Sequence, residues 1–150
     1  YIEGDRGCSF PQNYAWTQCY TKIPQPCALM LSVADVPLMG TELHFTGVIG
    51  AIHWQGREYR LATYLGAKAA KVGDNTLVIR QGKYTLTAEL LEKKDFPLHA
   101  PVNGDMRRFI RESPACRARY RFEKGDRVLF EFSAENAGFE FEYPASFTVK

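Results

Sequence analysis

Apolar and polar residues alternate along most of this chain with a period of two, the pattern of strands that bury one face. Strands are predicted at 13–20, 27–34, 43–54, 57–64, 75–81, 83–92, 115–123, 127–135 and 139–143. Short segments carrying Gly, Asn or Asp separate most of them, as hairpin loops require. Register can be checked at three hairpins. A two-residue loop at Gln55-Gly56 pairs Ile52 with Tyr59 and His53 with Glu58, which puts Val48, Ile52, Trp54, Tyr59 and Leu61 on one face. A loop at Gln81-Gly82 pairs Ile79 with Tyr84 and Leu77 with Leu86. In "ACRARYRFEKGDRVLFEFSAE" a two-residue loop would set Tyr120 against Glu131. A three-residue loop, Lys124-Gly125-Asp126, instead pairs Phe122 with Val128, Tyr120 with Phe130 and Ala118 with Phe132, and sets Arg119 by Glu131.

One segment breaks the alternation. In "NGDMRRFIRES" Asn103 is a candidate N-cap, and Met106, Phe109 and Ile110 stand at helical spacing, so a short helix is predicted over 103–113, ended by Pro114 and preceded by a loop between Pro97 and Pro101. The expected fold class is therefore all-β: an antiparallel up-and-down meander of eight or nine strands with one short helix. Such a meander loses its edges by closing into a barrel, and an eight-stranded barrel leaves room for one small ligand.

The run "NYAWTQCY" gives this barrel its candidate chemistry. Tyr14, Trp16, Gln18 and Tyr20 share one face of a strand and the small Ala15, Thr17 and Cys19 the other. With Trp54 and Tyr59, the aromatic row is a candidate wall for an apolar ligand, its rings able to stabilise a cation and Gln18 to bond a polar head. That reading places Trp16 and Gln18 inside the barrel and turns Cys19 away; the same row also suits a packed core.

Composition changes this picture little. The chain of 150 residues suits one domain with a real core, and 13% aromatic residues is on the rich side. A formal charge of +2 without a basic block argues against nucleic acid as a partner. No apolar run reaches the ~18 residues of a membrane span. Cys8, Cys19, Cys27 and Cys116 show no metal-binding spacing and read as free thiols of a reducing cytoplasm; His44, His53 and His99 are scattered, so no metal is expected. The chain opens without Met or a signal sequence and reads as a piece of a longer polypeptide. Arg117, Arg119 and Arg121 line one strand face, with Glu131 and Glu135 at hand to neutralise them.

Several motifs in fixed order carry a resemblance: Tyr1, Glu3, Phe10, Pro11, Trp16, Gln18 and Cys19 of the opening stretch, then "LMLSVADVPL", "FTGVIGAIHWQGREYRLATYLGA", "LHAPVNGDMRRFIRES" and "ENAGFEFE". Together they resemble the second half of tocopherol cyclase-like proteins, the bacterial members most closely. Arg6 departs from the pattern, since many relatives carry Trp there. The resemblance implies a lipocalin-like (calycin) barrel, preceded by an N-terminal barrel of the same chain, and a cofactor-free ring closure of a prenylated quinol to a chromanol. Such a reaction needs an acid to protonate the alkene, an apolar site around the cation and the phenol oxygen beside it. A carboxyl in an apolar pocket has a raised pKa and suits the first role; Glu3, Asp5 and Glu112 are the catalytic candidates, being carboxyls in matching segments. A non-catalytic lipocalin-like binder of a prenylated or other hydrophobic small molecule is the alternative, and a cytoplasmic protein touching a membrane surface is compatible with either. His53 opposite Glu58 is a further acid–base pair or a plain surface pair.

Overall fold

The computed structural model describes residues 11–22, 24–38, 43–93 and 96–143, with the backbone alone at 111–114. Its strands are β1 (Tyr14–Thr21), β2 (Cys27–Pro37), β3 (His44–Trp54), β4 (Arg57–Ala62), β5 (Lys68–Gly73), β6 (Thr76–Gln81), β7 (Tyr84–Glu92), β8 (Phe96–Val102), β9 (Asp105–Lys124) and β10 (Arg127–Phe141). All lie in one antiparallel sheet, ordered β4-β3-β2-β1-β10-β9-β7-β6-β5, with β8 paired to β9 beside that path. The sheet curls into a nearly closed all-β barrel. Among the described residues no helix is long and apolar enough to cross a membrane.

The chain closes this barrel by an economical route. β4 and β5 stand at opposite ends of the strand order yet are joined by one 3-10 turn, Thr63–Leu65. The seam they leave is spanned by a side chain: Gln81 Nε2 donates to the Arg60 carbonyl (2.9 Å) and Gln81 Oε1 accepts from the Ala62 amide (3.0 Å). A glutamine carries one donor and one acceptor group, so it can stand in for a missing ladder residue. Thr63 ties the turn to β3 by accepting from the Val48 amide at 2.7 Å.

Inside, rings from four strands pack in a column. Tyr84 of β7 stacks on Phe122 of β9 (centroids 5.6 Å), and Tyr59 of β4 meets Phe122 edge-on at 5.2 Å. Phe122 leads to Phe130 (5.5 Å), Phe130 to Phe132 (5.4 Å) and Phe132 to Tyr120 (5.6 Å). Such pairs add about 0.5–1.5 kcal/mol each beyond the area they bury. The Tyr120 hydroxyl, fully buried, shares a 2.6 Å hydrogen bond with Thr17 of β1, and Thr17 Oγ1 also lies 2.9 Å from the Gly138 carbonyl. Burial pushes the Tyr120 phenol well above its usual range, so it stays a neutral O–H.

The first predicted hairpin is observed in its predicted register, Ile52 opposite Tyr59 and His53 opposite Glu58. The second turns one residue later, at Gly82-Lys83, so Gln81 pairs with Tyr84 and Ile79 with Leu86. Gly82 has φ +55°, which a residue without Cβ adopts freely, and the two-residue slip keeps the same residues inside. The third hairpin does use a two-residue loop, Gly125-Asp126, and Leu129 forms a bulge between Val128 and Phe130. The bulge moves the ladder on by one, so Tyr120 faces Phe132 rather than Glu131, and Glu131 faces Arg121.

The helix over 103–113 is not formed. Asn103 (φ +52°) and Gly104 (φ +87°) make a tight turn between β8 and β9, and Met106, Phe109 and Ile110 lie in β9. An Asn-Gly pair is the strongest short hairpin signal, and here it prevails over helical spacing. β8 holds Pro97 and Pro101, which a strand tolerates where the missing N–H would point off its free edge. β5, "KAAKVG", also escapes the pattern because a bulge between Ala69 and Lys71 sets its buried residues, Ala69 and Val72, three apart.

Two variants test this architecture. Gln81→Leu should lower stability by about 1–3 kcal/mol in urea melts, since it strips partners from two backbone groups at the seam. Thr17→Val should cost a similar amount, roughly 1–3 kcal/mol, because it leaves the buried Tyr120 hydroxyl short of a partner; adding Tyr120→Phe should recover part of the loss.

Candidate functional site

The strand "YAWTQCY" is turned the opposite way from the ligand-lining expectation. Ala15, Thr17 and Cys19 face the core, packed beside Val33, Leu31 and Leu29 of β2, while Gln18 and Tyr20 are exposed on the outer face. The reason is space. β9 and β10 already fill the interior with Tyr120, Phe122, Phe130, Phe132 and Phe139, so the strand beside them presents its small row. Trp16 lies against Gly138 of β10, where an added Cβ would come within 2.9 Å of the indole. Tyr14, on the same outer face, is buried and donates to Glu140 Oε2 at 2.9 Å. Burial, then the Glu140 charge, holds its phenol far above the usual range.

On this outer face the register assembles a trough. Tyr20 of β1, Ala28 of β2, His53 of β3 and Glu58 of β4 are successive cross-strand partners. The next row is Gly138, Gln18, Met30 and Ala51. Partners directly opposite in an antiparallel sheet point to the same side. The small residues Ala28, Ala51 and Gly138 therefore form a low floor between Gln18, Tyr20, Met30, His53 and Asn136, and the depression holds about 440 Å³. A second one, about 500 Å³, shares Tyr20, Ala28 and His53 with the first and runs over the barrel rim past Pro26, Cys27, Trp54 and Gln55. The two make one bent trough, with Gln18, Asn136 and His53 at one end and, at the other, mainly apolar walls beside the hydrogen-bonded Gln25 and Gln55.

His53 and Glu58 are in hydrogen-bond contact on the wall of this trough, Nε2 to Oε2 at 2.9 Å, and Arg60 also bonds Glu58. That Arg60 hydrogen bond is the main cause holding the Glu58 carboxyl below its ordinary range. The arginine row of β9 is neutralised, though partly by other partners than Glu131 and Glu135: Arg121 meets Glu131 and Glu123 at 2.8 Å each, Arg119 meets Glu89 at 3.3 Å and Arg117 approaches Glu92 at 3.6 Å.

The other candidate residues scatter. Tyr59 belongs to the interior column, and Trp54 packs on Phe130 (5.7 Å) while reaching the apolar end of the trough. Glu3 and Asp5 lie outside the described residues. Glu112 sits on β9 between Phe96 of β8 and Glu140 of β10. Among the described residues no carboxylate is buried in the barrel. Met30 and Asn136 were not anticipated. Their signal was the small outward row Ala28, Ala51 and Gly138, which becomes visible only when neighbouring strands are put in register.

Cys19, Cys27 and Cys116 are buried free thiols, and Cys8 lies outside the described residues. Burial pushes Cys19 up to about 11 and Cys27 to about 12, with smaller contributions from Cys116 and Cys19 respectively. Each folded value lies above the unfolded one, so the stability these thiols contribute is full below the unfolded value of 9. It is lost as the pH climbs through the folded values. Urea melts between pH 8 and 11 should show this fall, and alkylation of these thiols at pH 8 should track global unfolding.

No protein-family model, curated protein or solved structure matches the chain.

Proposed function

We propose that this chain is a binding module for a small, largely apolar molecule, held in the outer trough rather than inside the barrel. One observation carries the reading: rings occupy the interior, while the outer face joins depressions of about 440 and 500 Å³ across the Tyr20–Ala28–His53 row. These volumes fall within the usual range for small-ligand sites, and a mainly apolar wall with a few polar groups at one end is their usual chemistry. The resemblance to tocopherol cyclase-like proteins supplies the ligand class, a prenylated quinol, whose ring suits the polar end and whose prenyl chain suits the apolar one.

The same resemblance supports a second reading, ring closure of that quinol to a chromanol without a cofactor. The imidazole–carboxylate pair on the trough wall favours it, being able to receive the phenolic proton as the oxygen attacks. Glu3, Asp5 and Glu112 are the carboxyls proposed to protonate the alkene.

Titration with a prenylated hydroquinone, followed by quenching of tryptophan fluorescence, should saturate in the wild type. Ala28→Phe raises the floor on the outer face, so it should abolish saturation while shifting stability by no more than about 0.5 kcal/mol. Unchanged affinity in that variant rules the trough out. Chromatography of the same mixtures reads the second activity as a product of unchanged mass and shifted retention.

A further inference from the structure

The polar end of the trough is built to recognise a particular group. His53 and Tyr20 stand on strands two apart, so their Cα atoms are separated by roughly 9–10 Å, with only the Ala28 methyl between them. A flat ring touching a wall on each side needs about 3.5–4 Å to either, or about 7–8 Å in all. That spacing has room for one planar ring between Tyr20 and His53, over Ala28. The neighbouring row adds Gln18 and Met30, so the ring would rest on a methyl and a thioether with an amide at its edge.

His53 is not a neutral bystander there. Its Nε2 is engaged by the ionised Glu58, itself held by Arg60. An acceptor-only carboxylate fixes the imidazole proton on Nε2, and in the neutral ring the other nitrogen is then an acceptor. The two ring nitrogens point to opposite sides. With Nε2 engaged by Glu58 of β4, Nδ1 is the ring nitrogen left to a ligand beside Ala28.

We propose that Tyr20, Ala28 and His53 form a subsite for a planar phenolic ring, in which His53 Nδ1 accepts a hydrogen bond from the ring hydroxyl and Glu58 is the positioning residue that makes it an acceptor. This rests on the trough being a binding site and names the group it selects: a hydroxyl donor, in preference to the same ring with its oxygens methylated or oxidised to carbonyls. Gln18 and Asn136, whose amides can donate or accept, do not make that distinction.

The test compares a short-chain prenylated hydroquinone with its dimethyl ether, both titrated at pH 8 by tryptophan fluorescence against wild type, His53→Phe, Glu58→Gln and Glu58→Leu. The wild type should prefer the hydroquinone by about five- to tenfold, the worth of one hydrogen bond. His53→Phe should keep ether binding and lose the preference. Glu58→Gln, which still offers an acceptor to Nε2–H, should retain it, and Glu58→Leu should weaken it, an effect a merely structural role would not produce. Equal binding of both compounds by the wild type overturns the hydroxyl-selective subsite and leaves the trough standing as a binding site. Loss of preference in Glu58→Gln as complete as in His53→Phe overturns the positioning role of Glu58. Binding of neither compound overturns the trough and the subsite together.

Discussion

The column of rings inside the barrel, ending in the Thr17–Tyr120 hydrogen bond, is the constraint on which the rest of the structure depends. Its rings come chiefly from the adjacent strands β9 and β10, which makes that side of the barrel bulky and obliges the strand beside it to be slight. β1 answers with Ala15, Thr17 and Cys19. Thr17 is the one buried polar residue outside the tyrosines among the described residues, and it stands where Tyr120 needs a partner for its hydroxyl. A neutral hydroxyl pair costs little to bury when satisfied and a good deal when not, so this contact fixes which way β1 faces.

Everything on the outer surface follows from that facing. With the small row turned in, Tyr14, Trp16, Gln18 and Tyr20 must turn out. A convex outer face would ordinarily shed a ligand. Here the floor is lowered by Ala28, Ala51 and Gly138, and the walls are raised by the very side chains the core had no room for. The trough and the packed interior are thus two consequences of one register, and a ligand in the trough would meet His53 already oriented by its neighbour on β4.

Closure of the barrel is the second structural solution of interest. Backbone ladders run round the strand order from β4 to β5, and at the remaining seam Gln81 supplies a donor and an acceptor from one side chain. Its position at the end of β6 is set by the Gly82-Lys83 turn. A loop chosen one residue earlier would place Gln81 in the turn and leave the Ala67–Ala62 backbone bond, at the 3-10 turn, without its neighbour.

The sequence by itself determined the all-β class, three of the hairpins and the identity of most inward residues, because a period of two is imposed locally by the backbone and a shift of two residues leaves it intact. That is why the Gln81–Tyr84 hairpin kept its faces though its loop moved, and why Leu77, Ile79 and Leu86 were legible as core. Tertiary structure decided what local pattern could not. The Leu129 bulge is worth making only because Tyr120 must meet Phe132 and not Glu131. The segment from Asn103 became a hairpin because long-range pairing to β8 and an Asn-Gly turn outweighed helical spacing. The choice of which face of "YAWTQCY" turns inward was equally beyond the strand itself. Alternation defines two rows but gives neither a direction; the direction came from the volume of rings contributed by strands about a hundred residues away, and with it the place of the candidate site.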